Sequence, residues 1–139
     1  MTILDTNVLS ETMLPAPSPR VLEWLMNQPV GELCTTAVSK AEILSGIARM
    51  PEGRRRRELQ SQAEAMFDED FDPGTLPFDA AAAEFYAGIM AARYAAGRVV
   101  GELDVQIAAI ARLHNATLAT RNARDFEDCG IRVVNPWEA

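Results

Sequence analysis

Short apolar runs alternate with stretches in which apolar residues recur every three or four positions along most of the chain. That alternation is the mark of an α/β fold built on a parallel sheet. The short runs predict strands at Thr2 to Leu4, Leu33 to Ala37, Thr75 to Phe78, Thr117 to Thr120 and Ile131 to Val134, where β-branched and aliphatic residues suit a buried pleat. Pro19 suits the first turn of a helix carrying Val21, Leu22, Trp24, Leu25 and Met26, which stops before Pro29. Ser39 opens another, with Ile43, Leu44, Ile47 and Ala48 on one face until Pro51, and a more polar helix runs from about Glu52 to Met66. Asp79 caps an alanine-rich helix bearing Phe85, Tyr86, Ile89, Met90 and Tyr94, with Gly97 as its left-handed end. A last helix spans about Leu103 to His114, with Leu103, Ile107, Ile110 and Ala111 at core spacing. The expected product is a three-layer α/β/α sandwich around a mainly parallel sheet of about five strands.

At 139 residues the chain reads as one domain over residues 1–139, large enough to bury roughly two-thirds of its unfolded surface without disulfides. No apolar run reaches the ~20 residues of a membrane span, and the start lacks a signal peptide's basic and apolar segments, so the expected location is the cytoplasm. Cys34 and Cys129 form no CxxC pair and are expected to be buried small hydrophobes. The single histidine, His114, falls where a helix ends and suits the dipole there, and it leaves mechanisms that need two histidines excluded.

The net charge of −7 argues against a broad basic surface for nucleic acid. The run Arg54, Arg55, Arg56 and Arg57 stands out in this acidic background, with Arg121 and Arg124 as a looser second cluster. A solvated helix face is the plain reading of the run.

Ligands of open parallel sheets bind beyond the carboxyl ends of the strands, where helix N-termini also point. Asp5 follows the first expected strand directly, Glu42 lies one turn beyond the second, and Asp104 opens the helix before the fourth. Arg121, Asn122, Arg124 and Asp125 come after that fourth strand. Singly, each acid has an ordinary explanation: Asp5 as a helix cap, Glu42 as the partner of Ser39 in an S-x-x-E capping box, Asp104 in a favourable first turn, Asp125 in a plain turn. Jointly they are harder to dismiss, because caps are needed everywhere whereas these four are all predicted at one edge. No glycine-rich phosphate loop, serine or cysteine triad or zinc spacing competes with them. Crowded carboxylates repel one another unless a hard divalent cation neutralises them, and oxygen ligands suit Mg²⁺ or Mn²⁺. Such an ion activates water and stabilises phosphoryl charge, which makes phosphodiester hydrolysis the natural chemistry.

Four segments resemble the acidic motifs of PIN-domain nucleases, in the branch of VapC- and FitB-type bacterial toxins: "ILDTNVLSE" at Ile3 to Glu11, "SKAEILSG" at Ser39 to Gly46, "ELDVQIAAIA" at Glu102 to Ala111 and "LATRNARDF" at Leu118 to Phe126. "VVNPW" at Val133 to Trp137 is similar to the same branch, and the similarity spans the chain in order. The resemblance implies a metal-dependent endoribonuclease using Mg²⁺, for which Mn²⁺ can substitute. It implies Asp5 and Asp104 as direct metal ligands and Glu42 as the holder of a metal-bound water or a second ion. Asn122 stands where many members have aspartate, so Asp125 is expected as an outer-sphere helper and Asn122 as an orienting donor, with Thr6 and Thr120 bonding the same waters. It further implies a cognate antitoxin, a homodimer and an RNA substrate, with a transfer RNA as a plausible target that Arg54, Arg55, Arg56 and Arg57 would guide. Leu9, Leu14, Val21, Trp24 and Leu25 fit either the core or a groove for an antitoxin helix.

Two rivals stand beside this reading. An aspartyl-phosphate phosphatase needs a second aspartate at position 7 and a downstream lysine, but residue 7 is Asn7 and the only lysine, Lys40, lies next to Ser39 on the wrong segment. A catalytically weak protein that acts as a binding partner in an antitoxin or operator-repressing complex would have no need of Mg²⁺, which is how the two differ.

Overall fold

The computed structural model describes residues 1–71, 74–98 and 101–139. Five strands form one wholly parallel sheet: β1 (Thr2–Leu4), β2 (Leu33–Thr36), β3 (Thr75–Leu76), β4 (Thr117–Ala119) and β5 (Arg132–Val134), in the order β3-β2-β1-β4-β5. Among the described residues six helices join them: α1 (Thr6–Thr12), α2 (Pro19–Met26), α3 (Ala37–Ala48), α4 (Arg54–Glu69), α5 (Ala80–Ala95) and α6 (Glu102–Leu113). A 3₁₀ turn over Ala123–Phe126 follows β4. The expected three-layer arrangement is borne out.

Alternation along the strands divides the core. Ile3, Cys34 and Leu118 face one layer, where Ile89 of α5 and Val105, Ile107 and Ile110 of α6 are buried. Their neighbours Leu4 and Ala119 face the other, with Val8 and Leu9 of α1, Val21 of α2, Ile43 and Ile47 of α3 and Met66 of α4. Leu9 and Val21 are therefore core residues, Trp24 and Leu25 are half-buried against the same cluster, and Leu14 is exposed. Both cysteines are free and buried, and burial pushes the Cys34 thiol up to about 11. No helix among the described residues is long and apolar enough to cross a membrane.

Several boundaries differ from expectation. Three strands end earlier, before Ala37, Pro77 and Thr120: Ala37 already belongs to α3, and Pro77 has no N–H to offer the ladder. Helix α3 begins at Ala37 rather than Ser39, since Thr36 is its cap and its hydroxyl accepts from Ser39 N at 3.1 Å. The Ser39–Glu42 capping box is therefore absent: Ser39 lies buried inside the first turn, and Glu42 is freed for another partner. Helix α4 starts at Arg54, two residues late, after Gly53 at its cap. Asp79 and Gly97 play the parts expected of them, a hydroxyl-free carboxylate cap on Ala82 N and a left-handed turn at φ 69°.

The C-terminal end of α5 fixes the 3₁₀ turn. Arg93 is only 4% exposed and donates to the Asp125 carbonyl, to the Glu127 carbonyl at 3.5 Å and to Cys129 Sγ at 2.9 Å. Arg98 adds bonds to Glu127 O at 2.9 Å and to the Asp128 carboxylate at 3.1 Å. Ile107, fully buried where α6 meets the sheet, tests this packing: Ile107→Ala is expected to cost about 2–5 kcal/mol in denaturant unfolding, and a loss below about 1 kcal/mol would show that α6 is not a core element.

Candidate active site

The strand order turns back on itself between β1 and β4, so their carboxyl ends open the crevice in which parallel-sheet proteins place ligands. Asp5 leaves β1 there and Thr120 leaves β4 beside it. Asp5 does cap α1, but only one oxygen is spent on that: Oδ1 accepts from Thr6 N at 2.8 Å. Oδ2 accepts from Thr120 Oγ1 at 2.7 Å and from Asn7 Nδ2 at 3.5 Å. A cap on the surface, such as exposed Asp79, has no need of burial, yet Asp5 is 5% exposed. Burial raises its affinity for a proton, the Thr120 and Thr6 bonds pull back, and the charge of Asp125 raises it further.

Glu42 and Asp104 line the same open pocket of about 420 Å³, together with Thr6, Asn7, Ser10, Glu11, Leu14, Arg121, Asn122 and Trp137. Thr6 Oγ1 donates to Glu42 Oε1 at 2.9 Å and lies 3.0 Å from Ser39 Oγ, whose proton can complete the chain. The freed Glu42 is thus aimed into the pocket by a residue of α1. Asp104, third in α6, is pushed up to about 6 by burial and then by the charges of Asp5, Asp125 and Glu42, with Arg93 opposing. Asp104 thus feels the charges of Asp5 and Glu42, acids brought in by two other segments of the chain.

The other expected residues separate. Asn122 lines the pocket and its backbone N donates to Thr120 Oγ1 at 3.1 Å, whereas Asp125 lies outside the lining and acts there only through its charge. Thr6 and Thr120 hold acids in place. The arginine run lies apart from the pocket: Arg54 pairs with Glu58 at 2.8 Å, Arg56 reaches the Met50 carbonyl, and Arg56 and Arg57 border a separate hollow. Arg55 alone lines a groove that shares Thr6, Ser10, Leu14 and Glu42 with the acidic pocket. Sequence reasoning passed over Asn7, Arg93 and Trp137. Asn7 stood inside the quoted first motif and Trp137 inside the last, but nothing local marked an alanine-rich helix's Arg93 as buried.

The sequence matches the family described as PIN domain over residues 2–131. The chain belongs to the PIN-domain family. It is 39% identical to a VapC ribonuclease, Y4jK, of Sinorhizobium fredii, over 99% of each chain. It is 34% identical to the toxin FitB of Neisseria gonorrhoeae, again over 99% of each. The crystal structure of FitAcB from Neisseria gonorrhoeae superposes with a TM-score of 0.92 at 34% identity, covering 100% of both chains. The resemblance to VapC- and FitB-type members of this family is thereby borne out.

The burial of Asp104, and then its repulsion by the neighbouring acids, has a measurable sign. Folded Asp104 holds its proton up to about 6 against an ordinary value of 3.8, so without metal the folded state loses stability as pH rises through that window. Asp104→Asn is expected to melt at a higher temperature than wild type at pH 7 in EDTA, the two curves converging at acid pH. Equal melting temperatures at pH 7 would mean that neither burial nor the neighbouring carboxylates oppose the charge of Asp104.

Proposed function

We propose that this PIN domain is a divalent-metal-dependent endoribonuclease, the toxin of a toxin-antitoxin pair, with Asp5, Glu42 and Asp104 as its catalytic acids. The observation that carries this reading is the burial of Asp5 at the crevice, in one pocket with Glu42 and Asp104 and with no ion pair to any of the three among the described residues. Relatives named as a ribonuclease and a toxin over the full chain support it.

The donor set fits a hard cation. All three candidates are carboxylates, and among the described residues no group of three or more acidic, histidine or cysteine side chains is arranged to cage a metal. Mg²⁺ asks for fewer protein ligands than such a cage, since it keeps several waters and takes one or two carboxylates plus substrate phosphate. Asp5 and Asp104 would hold it, and Glu42 would hold a bound water or a second ion. When bound, Mg²⁺ or Mn²⁺ neutralises the acids, lowers the pKa of a water and stabilises charge on the phosphoryl oxygens.

The chain's own groups do the remaining work. Thr120 and the Thr6 backbone fix the Asp5 carboxylate by its two oxygens, so its remaining lone pairs have a set direction. Thr6 fixes Glu42 through Oε1, leaving Oε2 to take a proton from a water in the pocket. Asn122 orients a water or phosphate from the rim, with Asp125 behind it. Gly101, at the head of α6, leaves room for Asp104: a Cβ there would stand 3.2 Å from Asp104 Oδ2. The apolar groove of Met13, Leu14, Ile43, Ile47, Met50 and Leu59, which begins at Glu42, offers the antitoxin its seat.

The decisive experiment incubates the purified chain with labelled total RNA and Mg²⁺ or Mn²⁺, beside EDTA, Asp5→Asn and Asp104→Asn. Cleavage is expected only with metal and to fall at least about 100-fold in either variant, the range lost when an electrostatic or acid-base group is removed. Cutting that survives both variants would return the acids to capping roles and favour a binding-partner protein. In the same assay Gly101→Ala is expected to lose several-fold in rate while its melting temperature barely moves, because a flexible carboxylate and no backbone gives way. A full rate would show that the position of Asp104 is not critical.

A further inference from the structure

Arg121 is the one basic residue among those lining the acidic pocket, where Asp5, Glu11, Glu42 and Asp104 supply carboxylates. A guanidinium in such company would ordinarily fold onto one of them, since charge-assisted bonds are the strong ones. Arg121 does not: among the described residues its side chain makes neither an ion pair nor a hydrogen bond, and only its backbone groups are bonded. Its Cζ lies 4.8 Å from the centre of the Trp137 ring, a cation–π distance.

Both partners of that stack are anchored. Asn7 Oδ1 accepts from Arg121 N at 3.2 Å, and Asn135 Nδ2 donates to Arg121 O at 3.4 Å. Asn135 Oδ1 also accepts from Trp137 N at 2.9 Å, and the indole packs on the core beneath α1 to α4. The indole is a fixed shelf, and the guanidinium on it stays at the pocket rim with its donors unspent. An anionic strand approaching an acidic pocket on a chain of net charge −7 needs a local cation, and the planar fork of arginine matches two phosphate oxygens where lysine offers only a point charge.

We propose that Arg121, shelved on Trp137, binds a backbone phosphate of the RNA strand beside the bond that is cut; the identity of the strand rests on the ribonuclease reading above. Trp137 is a positioning residue that acts through Arg121. The arginine run of α4 does not reach this pocket and does not fill the role.

The test uses the full chain carrying Asp5→Asn to stop cleavage, titrated with a fluorescently labelled single-stranded RNA pool of random sequence in Mg²⁺ buffer at several salt concentrations. Steady-state cleavage by the otherwise wild-type chain runs alongside. Arg121→Ala is expected to weaken binding about tenfold or more and to flatten the plot of log affinity against log salt by about 0.7, one phosphate contact on a single strand. The cleavage defect should fall on KM and leave kcat within about twofold. Arg121→Lys should restore the salt slope without the affinity. Trp137→Leu should lose affinity as Arg121→Ala does, and Trp137→Phe, which keeps an aromatic shelf, should recover most of it. Unchanged affinity and salt slope in Arg121→Ala would overturn the proposal, even if Trp137→Leu fails to fold, and so would an absence of RNA binding at low salt. A wild-type chain that binds but never cuts would sink the ribonuclease reading alone, and the titration would still decide on Arg121.

Discussion

The hydrogen bond from Thr120 Oγ1 to Asp5 Oδ2 joins the ends of the two strands between which the sheet reverses its order. Much of the site depends on it. Two neighbouring parallel strands deliver their next residues side by side at one edge, and a carboxylate buried there must be bonded or it will not remain charged. Thr120 supplies that bond, and its oxygen also accepts from Asn7 Nδ2 and Asn122 N. One hydroxyl thus ties the first helix, the first acid and the loop after β4 into a single frame, on which Arg121 is carried one residue later.

Around this frame the chain accepts an electrostatic cost. Asp5, Glu42 and Asp104 come from elements far apart in sequence, and each raises the proton affinity of Asp104 or is raised with it. A fold selected for stability alone would separate them, since like charges in a half-buried pocket oppose folding. Arg93 softens the repulsion from behind while its hydrogen bonds secure the loop that bears Asp125. Perturbed acids at a crevice are where function is expected to reside, and the arrangement relaxes once positive charge arrives.

Local rules made much of the architecture legible. Periodicity separated strands from helices, and Pro19, Asp79 and Gly97 marked helix ends because each acts on backbone within its own few residues. They failed where two local solutions competed. Thr36 and Ser39 are both good caps, and Ser39 with Glu42 spelled a capping box; the chain uses Thr36 because β2 ends there and the sheet has already set its backbone. The same change released Glu42 to Thr6, so a boundary error of two residues altered the apparent role of an acid.

Sequence by itself determined the elements, the parallel sheet and the candidate acids, since hydrophobic period and the need to follow a strand with a turn are properties of neighbouring residues. It could not say that Asp5 is buried and Asp79 is not, since both stand at the N-caps of helices. Tertiary structure decided that, by burying one beside Thr120 and leaving the other in water. It likewise placed the arginine run outside the pocket, brought Arg121 onto Trp137 from a strand away, and buried Arg93 beneath a loop some thirty residues distant. Each of these is a long-range choice of neighbour, and burial, bonding and charge take their values from neighbours that only the folded chain supplies.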